Sequence, residues 1–290
     1  MRVLTVRDGD TLRAAILNDQ DEVVLLDANE FPSVLALVEA GPAVWPRLAD
    51  FANGTLAGTF DEANLAPPIG RPPRNMFCVG INYRSHWDEG DRGGAAAPQA
   101  PVFFTKPWTC LVPHGATVQI DPIATRKADW EAEIAIVVGK GGRNIPLEQG
   151  LDHVFGFVLA NDLSARDLQL GSGPTSQWFK GKSLDGFCPM GPYIVTRDAV
   201  ADTESIDVAL RVNGELKQDF STKQMIHSFS SIIAHLSLGM ALLPGDVILT
   251  GTSSGVGHWQ KPPQFLGDGD VVEMTSSVLG SLSFQTALMR

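Results

Sequence analysis

Two glutamates stand two residues apart where a polar segment turns apolar: Glu131 and Glu133 in ADWEAEIAIVVG. Side chains at i and i+2 share one face of a strand, and the unbroken apolar run from Ile134 to Val138 reads as a buried strand. Two carboxylates on one face repel each other unless a cation or solvent separates them. On spacing alone, a solvated strand end with two surface glutamates stays open beside a cation site. Asp162 follows a second apolar run, VFGFVLAN at 154–161, and precedes a turn into SARDLQ. An acidic residue there can cap a helix. It also completes an all-oxygen, three-carboxylate set. Hard oxygen donors favour Mg2+, Mn2+ or Ca2+ over zinc and leave positions that a chelating substrate can fill.

His86 and Glu89 lie three apart in NYRSHWDEG. On one helical turn the two side chains are neighbours, and a carboxylate beside an imidazole orients it and raises its basicity. Such a pair can activate water or take a proton. A surface histidine with an incidental acidic neighbour fits the same spacing. His114, His153, His227 and His235 lack carboxylates at suggestive spacing, and His258 follows a glycine-rich turn at 255–257, from which it could reach the rim of the site; a structural role is favoured for each. The same holds for Trp108, Trp178 and Trp259.

The elements that must position these groups are mostly strands. MFCVGI at 76–81, PVFFTK at 101–106, TVQI at 117–120, AEIAIVVG at 132–139 and VFGFVLAN at 154–161 are bounded by turn residues. Further strands are expected at 192–196, 207–214, 246–251 and 270–276. VNGE at 212–215 carries a hairpin signal, since Asn-Gly takes the positive φ of a tight turn. Helices are expected at 147–153 and 225–237, and in the first half of 32–49. The Pro- and Gly-rich stretch LAPPIGRPPRN at 65–75 reads as a linker. Residues 1–68 therefore read as a small N-terminal domain and 69–290 as the catalytic domain. The 90–100 segment, GDRGGAAAPQA, offers small residues without core-forming side chains and suits the hinge of a lid; an ordinary long loop is the alternative.

With 290 residues and 44% hydrophobic side chains, the chain has material for a sizeable core. A net charge of -11 argues against nucleic acid or an anionic membrane as the main partner, because both need clustered Lys and Arg. A bound divalent cation can still reverse the local field for an anionic substrate. Cys78, Cys110 and Cys188 are scattered without zinc spacing and read as reduced, buried thiols. No signal core or membrane span stands out, so a cytoplasmic location is expected.

The sequence resembles the fumarylacetoacetate hydrolase family over residues 72–285. The likeness is carried by VGINYRSHWDE (79–89), DWEAEIAIVVGK (129–140), FGFVLANDLSARDLQ (155–169), WFKGKSLDGFCPMGP (178–192), LRVNGELKQ (210–218) and LLPGDVILTGTSSGVG (242–257), in the family's order. The resemblance implies a mainly β, α+β fold: a mixed β-sandwich roll with a small N-terminal α/β domain. It implies a divalent metal, Mg2+ or Mn2+ with Ca2+ a further candidate, at Glu131, Glu133 and Asp162. It gives His86 and Glu89 the place of a catalytic dyad and Lys182 that of an active-site lysine, with Lys180 suiting the surface. Arg166, Gln169 and Thr252 match substrate-binding positions, though Arg166 could instead pair only with Asp162 or Asp167. Ser253 departs from the proline usual after this threonine, and EMTSSVLGSL at 273–282 departs from a more acidic, glycine-rich run.

The reaction expected from this resemblance is metal-dependent hydrolysis of a C–C bond in an acylpyruvate or related β-diketo acid, by a homodimer. The alternative is an oxaloacetate-type decarboxylase or a 2-oxo acid isomerase or tautomerase. A non-catalytic binder of metal and 2-oxo acid is a third reading.

Overall fold

A computed structural model describes residues 1–52, 54–90, 96–171 and 176–290. Its architecture follows from two strands that are apolar along their whole length. Ala132–Val138 and Val154–Asn161 are buried at every position, as strands covered on both faces must be. They pair antiparallel, with Ala132 opposite Asn161 and Glu133 opposite Ala160. Around them runs a 12-stranded sheet. On one side Val154–Asn161 is followed by Cys188–Thr196 and then the N-terminal strands; on the other lie Val247–Leu249, Met76–Gly80 and Val102–Lys106. A second sheet has five strands, among them Asp207–Val212, Val271–Ser276 and Gly280–Leu288.

Alternation along the central pair divides the core. Ile134, Ile136, Phe157 and Leu159 pack with Val208, Leu210, Val272 and Met274 of the second sheet. Ala135, Val137, Val158 and Ala160 face the other way, toward Val34, Leu37 and Val38 of the helix Val34–Glu39. The fold is thus sheet-dominated and mixed, as the sequence pattern indicates. Arg2–Asp8 bonds to Cys188–Thr196, so the strands of residues 1–68 continue the large sheet. A boundary at 68/69 is a proposal about chain organisation across that shared sheet.

Local chemistry explains where elements differ from expectation. The segment Leu147–His153 is a 3-10 helix rather than an α-helix. Gly150 lies against the Ser230 backbone so closely that a Cβ would stand 2.6 Å from Ser230 Cα. The helix expected from 225 begins at Phe229, because Ser228 caps it and Ile226 N–H instead donates to the Asn82 carbonyl at 2.7 Å. Within 32–49 the α-helix ends at Glu39, before Gly41 and Pro42. The hairpin at 212–215 forms as expected, with Asn213 and Gly214 at φ 52 and 80. Strands Thr11–Leu17 and Gly280–Leu288 have no counterpart in the sequence reading. The hinge expected at 90–100 falls partly on residues 91–95, which lie outside the described residues.

Phe157 is fully buried between the layers, its ring 4.9 Å from that of Phe229. Phe157→Ala should therefore cost about 3–5 kcal/mol, read as a lowered urea midpoint at unchanged slope.

Candidate active site and metal centre

The register of the central strands builds the carboxylate cluster. One step beyond the Ala132–Asn161 pair, Asp162 N–H donates to the Glu131 carbonyl at 2.9 Å, so the two residues lie side by side. Residues opposite each other in an antiparallel pair, and residues two apart, share a face. Glu131, Glu133 and Asp162 accordingly offer ligand oxygens that all lie within 4.8 Å of one another, and all three residues are buried. The solvated-surface reading of the glutamates is thereby excluded.

Three buried cations meet this charge. Lys182 Nζ lies 2.6 Å from Glu131 Oε2 and 2.7 Å from Asp162 Oδ2. Lys106, which closes the strand Val102–Lys106, is wholly buried; its Nζ donates to Asp162 Oδ1 and to the Phe187 carbonyl, each at 2.6 Å. Arg166 sets Nε 2.7 Å from Asp129 Oδ2 and Nη2 2.8 Å from Glu131 Oε1, while Nη1 donates to Gln169 Oε1. The expected alternative partners of Arg166 do not hold: it pairs with neither Asp162 nor Asp167. Asp167 instead accepts from Thr125 and from Arg126 N–H.

The carboxylates are not equally neutralised. Burial raises Glu131, but the Lys182 and Arg166 charges outweigh it and pull the group down to about 2. Glu133 receives one N–H, from Gly251 at 2.7 Å. Burial and the charges of Asp162 and Glu131 push its carboxyl well above the usual range. That shortage of positive charge, beside oxygen donors only, is what a divalent cation would satisfy. The residues present therefore fit such an ion.

His86 and Glu89 lie on the short helix Arg84–Glu89, with His86 Nδ1 2.6 Å from Glu89 Oε1. Glu89 Oε2 accepts from Gly255 N–H at 2.8 Å, and Ser85 Oγ from Ser254 N–H, which docks this helix on the 253–255 loop. His86 lines one cavity of about 90 Å³ together with Glu131, Glu133, Arg166, Gln169, Lys182 and Thr252. Asp162 lies behind that lining, under Lys182. Drug-sized ligands need roughly 300–1,000 Å³, so this space suits a small molecule.

Thr252 reaches the cavity, but its hydroxyl donates to the Ala132 carbonyl at 2.8 Å and accepts from Gln218. Its hydroxyl proton is thus committed. Lys180 is exposed, in keeping with a surface role. Trp178 and His258, expected to be structural, also line the cavity. Gly80 makes the Trp178 wall possible: a Cβ there would stand 2.4 Å from the indole. Next to it Ile81 adopts φ 60, a costly conformation for a β-branched residue. Asn82 holds the turn with bonds to the His227 backbone and the Thr250 carbonyl.

Lys106 and Asp129 were missed by the sequence reading. Asp129 continues the i, i+2 alternation of Glu131 and Glu133, which was a usable signal. Lys106 was signalled only by a lysine closing an apolar strand. The three cysteines are free and buried. His114, without a carboxylate near it in sequence, has Glu62 2.8 Å from Nε2.

A family model described as "Fumarylacetoacetate (FAA) hydrolase C-terminal" matches residues 75–286. The chain belongs to this family. It is 42% identical over 243 residues to "Oxaloacetate tautomerase YisK" of Bacillus subtilis, covering 84% of this chain and 79% of that one. A fumarylacetoacetate hydrolase structure from Exiguobacterium antarcticum superposes with TM-score 0.85 at 37% identity, covering both chains fully. A Sphingobium maleylpyruvate hydrolase, solved with manganese(II) and pyruvate, has TM-score 0.76 at 26% identity over both full chains. No helix among the described residues is long and apolar enough to cross a membrane.

Burial and the neighbouring carboxylates raise Glu133 well above the usual carboxylate range, and a cation needs the ionised carboxylate, so protons should compete with the cation here. Mn2+ affinity should fall as pH is lowered, and binding should release a proton. Calorimetry in buffers of different ionisation enthalpy reads this directly. Glu133→Gln should lower the affinity at least tenfold and abolish the proton release.

Proposed function

We propose that this enzyme interconverts the keto and enol forms of a small 2-oxo acid, with oxaloacetate the first candidate. The observation that carries the reading is His86, bonded to Glu89, in the wall of the cavity that Glu131, Glu133 and Lys182 also line. The likeness to oxaloacetate tautomerases supports this alternative over the C–C hydrolysis that the sequence first suggested. Hydrolysis of an acylpyruvate needs a positioned water and a leaving carbon, whereas tautomerisation needs a proton acceptor and charge compensation only.

Glu131, Glu133 and Asp162 would hold a divalent cation, Mn2+ or Mg2+. When bound, the cation supplies a Lewis acid that acidifies the C–H beside a 2-oxo group. Glu89 accepts the Nδ1 proton of His86, which leaves Nε2 as a base. His86 takes a proton from C3 and returns it to the 2-oxo oxygen, so no water or co-reactant is consumed. Lys182 offsets the negative charge that develops on that oxygen. Gln169 and Arg166 orient the substrate's carboxyl end, and Thr252 contributes its backbone N–H. The enzyme would act as a cytoplasmic homodimer without nucleic-acid or membrane partners.

Enol-to-keto conversion of oxaloacetate, followed by ultraviolet absorbance with Mg2+ or Mn2+, tests the proposal. His86→Ala should lower kcat by about 10²–10⁴-fold, the usual contribution of general acid–base catalysis. Glu89→Gln should cost less, because the imidazole stays in place. Cleavage of acylpyruvates or fumarylpyruvate at rates above oxaloacetate tautomerisation would return the assignment to hydrolase.

A further inference from the structure

One group in the cavity wall has no part in the chemistry above. His258 sits on the 3-10 turn Gly257–Trp259 and lines the same cavity as His86, Arg166 and Lys182. Its place is fixed from behind. Asp129 Oδ1 accepts from Gly257 N–H at 2.7 Å, and Oδ2 accepts from His258 N–H at 3.0 Å. The same Oδ2 accepts from Arg166 Nε. Gly257 packs too tightly for a side chain: a Cβ would lie 2.1 Å from the Gln264 carbonyl oxygen. The imidazole stands edge-on to Trp259, with ring centroids 4.6 Å apart. One aspartate thus ties the turn to Arg166 and, through it, to Glu131.

The ring nitrogens differ. Nδ1 is enclosed and has no hydrogen-bond partner among the described residues, which leaves Nε2, on a ring that lines the cavity, as the nitrogen available to a ligand. An enclosed nitrogen with nothing to donate to is least costly without a proton, so the proton belongs on Nε2. Burial, then the Arg166 charge, lowers the affinity of the ring for a second proton. His258 therefore offers the cavity one N–H donor.

The other polar groups here are largely spent. Arg166 is committed to Asp129, Glu131 and Gln169, and Lys182 to Glu131 and Asp162. Gln169 gives its Oε1 to Arg166, and its amide N–H groups have no partner among the described residues. Nε2–H of His258 and the Gln169 amide are two uncommitted donors beside a guanidinium. That combination matches a carboxylate.

We propose that His258 is a specificity-determining residue that donates to the distal carboxylate of a dicarboxylic 2-oxo acid. This rests on the tautomerase reading for the reaction, but not for the binding. The test compares oxaloacetate with 2-oxobutyrate, which ends in a methyl group. Exchange of C3 protons in D2O, followed by NMR, gives kcat/KM for each. In His258→Phe the oxaloacetate-to-2-oxobutyrate ratio should fall at least tenfold, carried by KM. His258→Asn, which keeps a donor, should recover part of it.

Calorimetric dissociation constants of both acids, in a His86→Ala background with Mg2+, give the same ratio without turnover. Equal losses for both acids, or an unchanged ratio, would overturn the proposal. If the wild type exchanges neither acid, the tautomerase reading fails, and the binding ratio alone decides the role of His258.

Discussion

Three buried carboxylates whose oxygens lie within 4.8 Å of one another are the constraint around which this structure is arranged. Buried like charges persist only where opposite charge meets them with good geometry. Lys106, Lys182 and Arg166 supply it, and each comes from a different element: the end of the strand Val102–Lys106, the helix Trp178–Lys182 and the helix Arg166–Leu170. The sheet register makes the problem, because pairing Ala132 with Asn161 leaves Glu131 and Asp162 side by side. The same register leaves Glu133 under-compensated, which is where a divalent cation is called for.

Charge compensation also organises the groups that line the cavity. Lys182 bridges two carboxylates and also lines the cavity. Asp129 spends its four bonds on Trp130 N–H, Gly257 N–H, His258 N–H and Arg166. It thereby joins the segment that carries Glu131, just before the strand Ala132–Val138, to the turn that carries His258. Glu89 likewise bonds both His86 and Gly255, so it ties the proposed base to the loop beyond Thr252. These are links between segments far apart in sequence, and they fix distances that catalysis needs.

The carboxylate set was legible in sequence because strand alternation is a local rule: Glu131 and Glu133 must share a face. Asp162 could be placed at a strand end but not beside Glu131, since register between strands depends on packing outside either one. His86 and Glu89 were legible as neighbours on one helical turn. Lys106 was not, because nothing local distinguishes a lysine that ends a strand at the surface from one that ends it inside. Arg166 illustrates the same limit. Its nearest acidic residues in sequence are not its partners, and Asp129, 37 residues away, is. The helix start at Phe229 was missed because the preceding residues bond to Asn82, a tertiary contact that overrides their helical pattern.

The account stands on the claim that the buried triad holds a divalent cation. Anomalous diffraction from crystals grown with Mn2+ tests it most directly. A single strong peak coordinated by Glu131, Glu133 and Asp162, with Lys182 drawn off at least one of its two carboxylates, is the predicted result. No peak there at saturating Mn2+, with Lys182 still bridging Glu131 and Asp162, would contradict it.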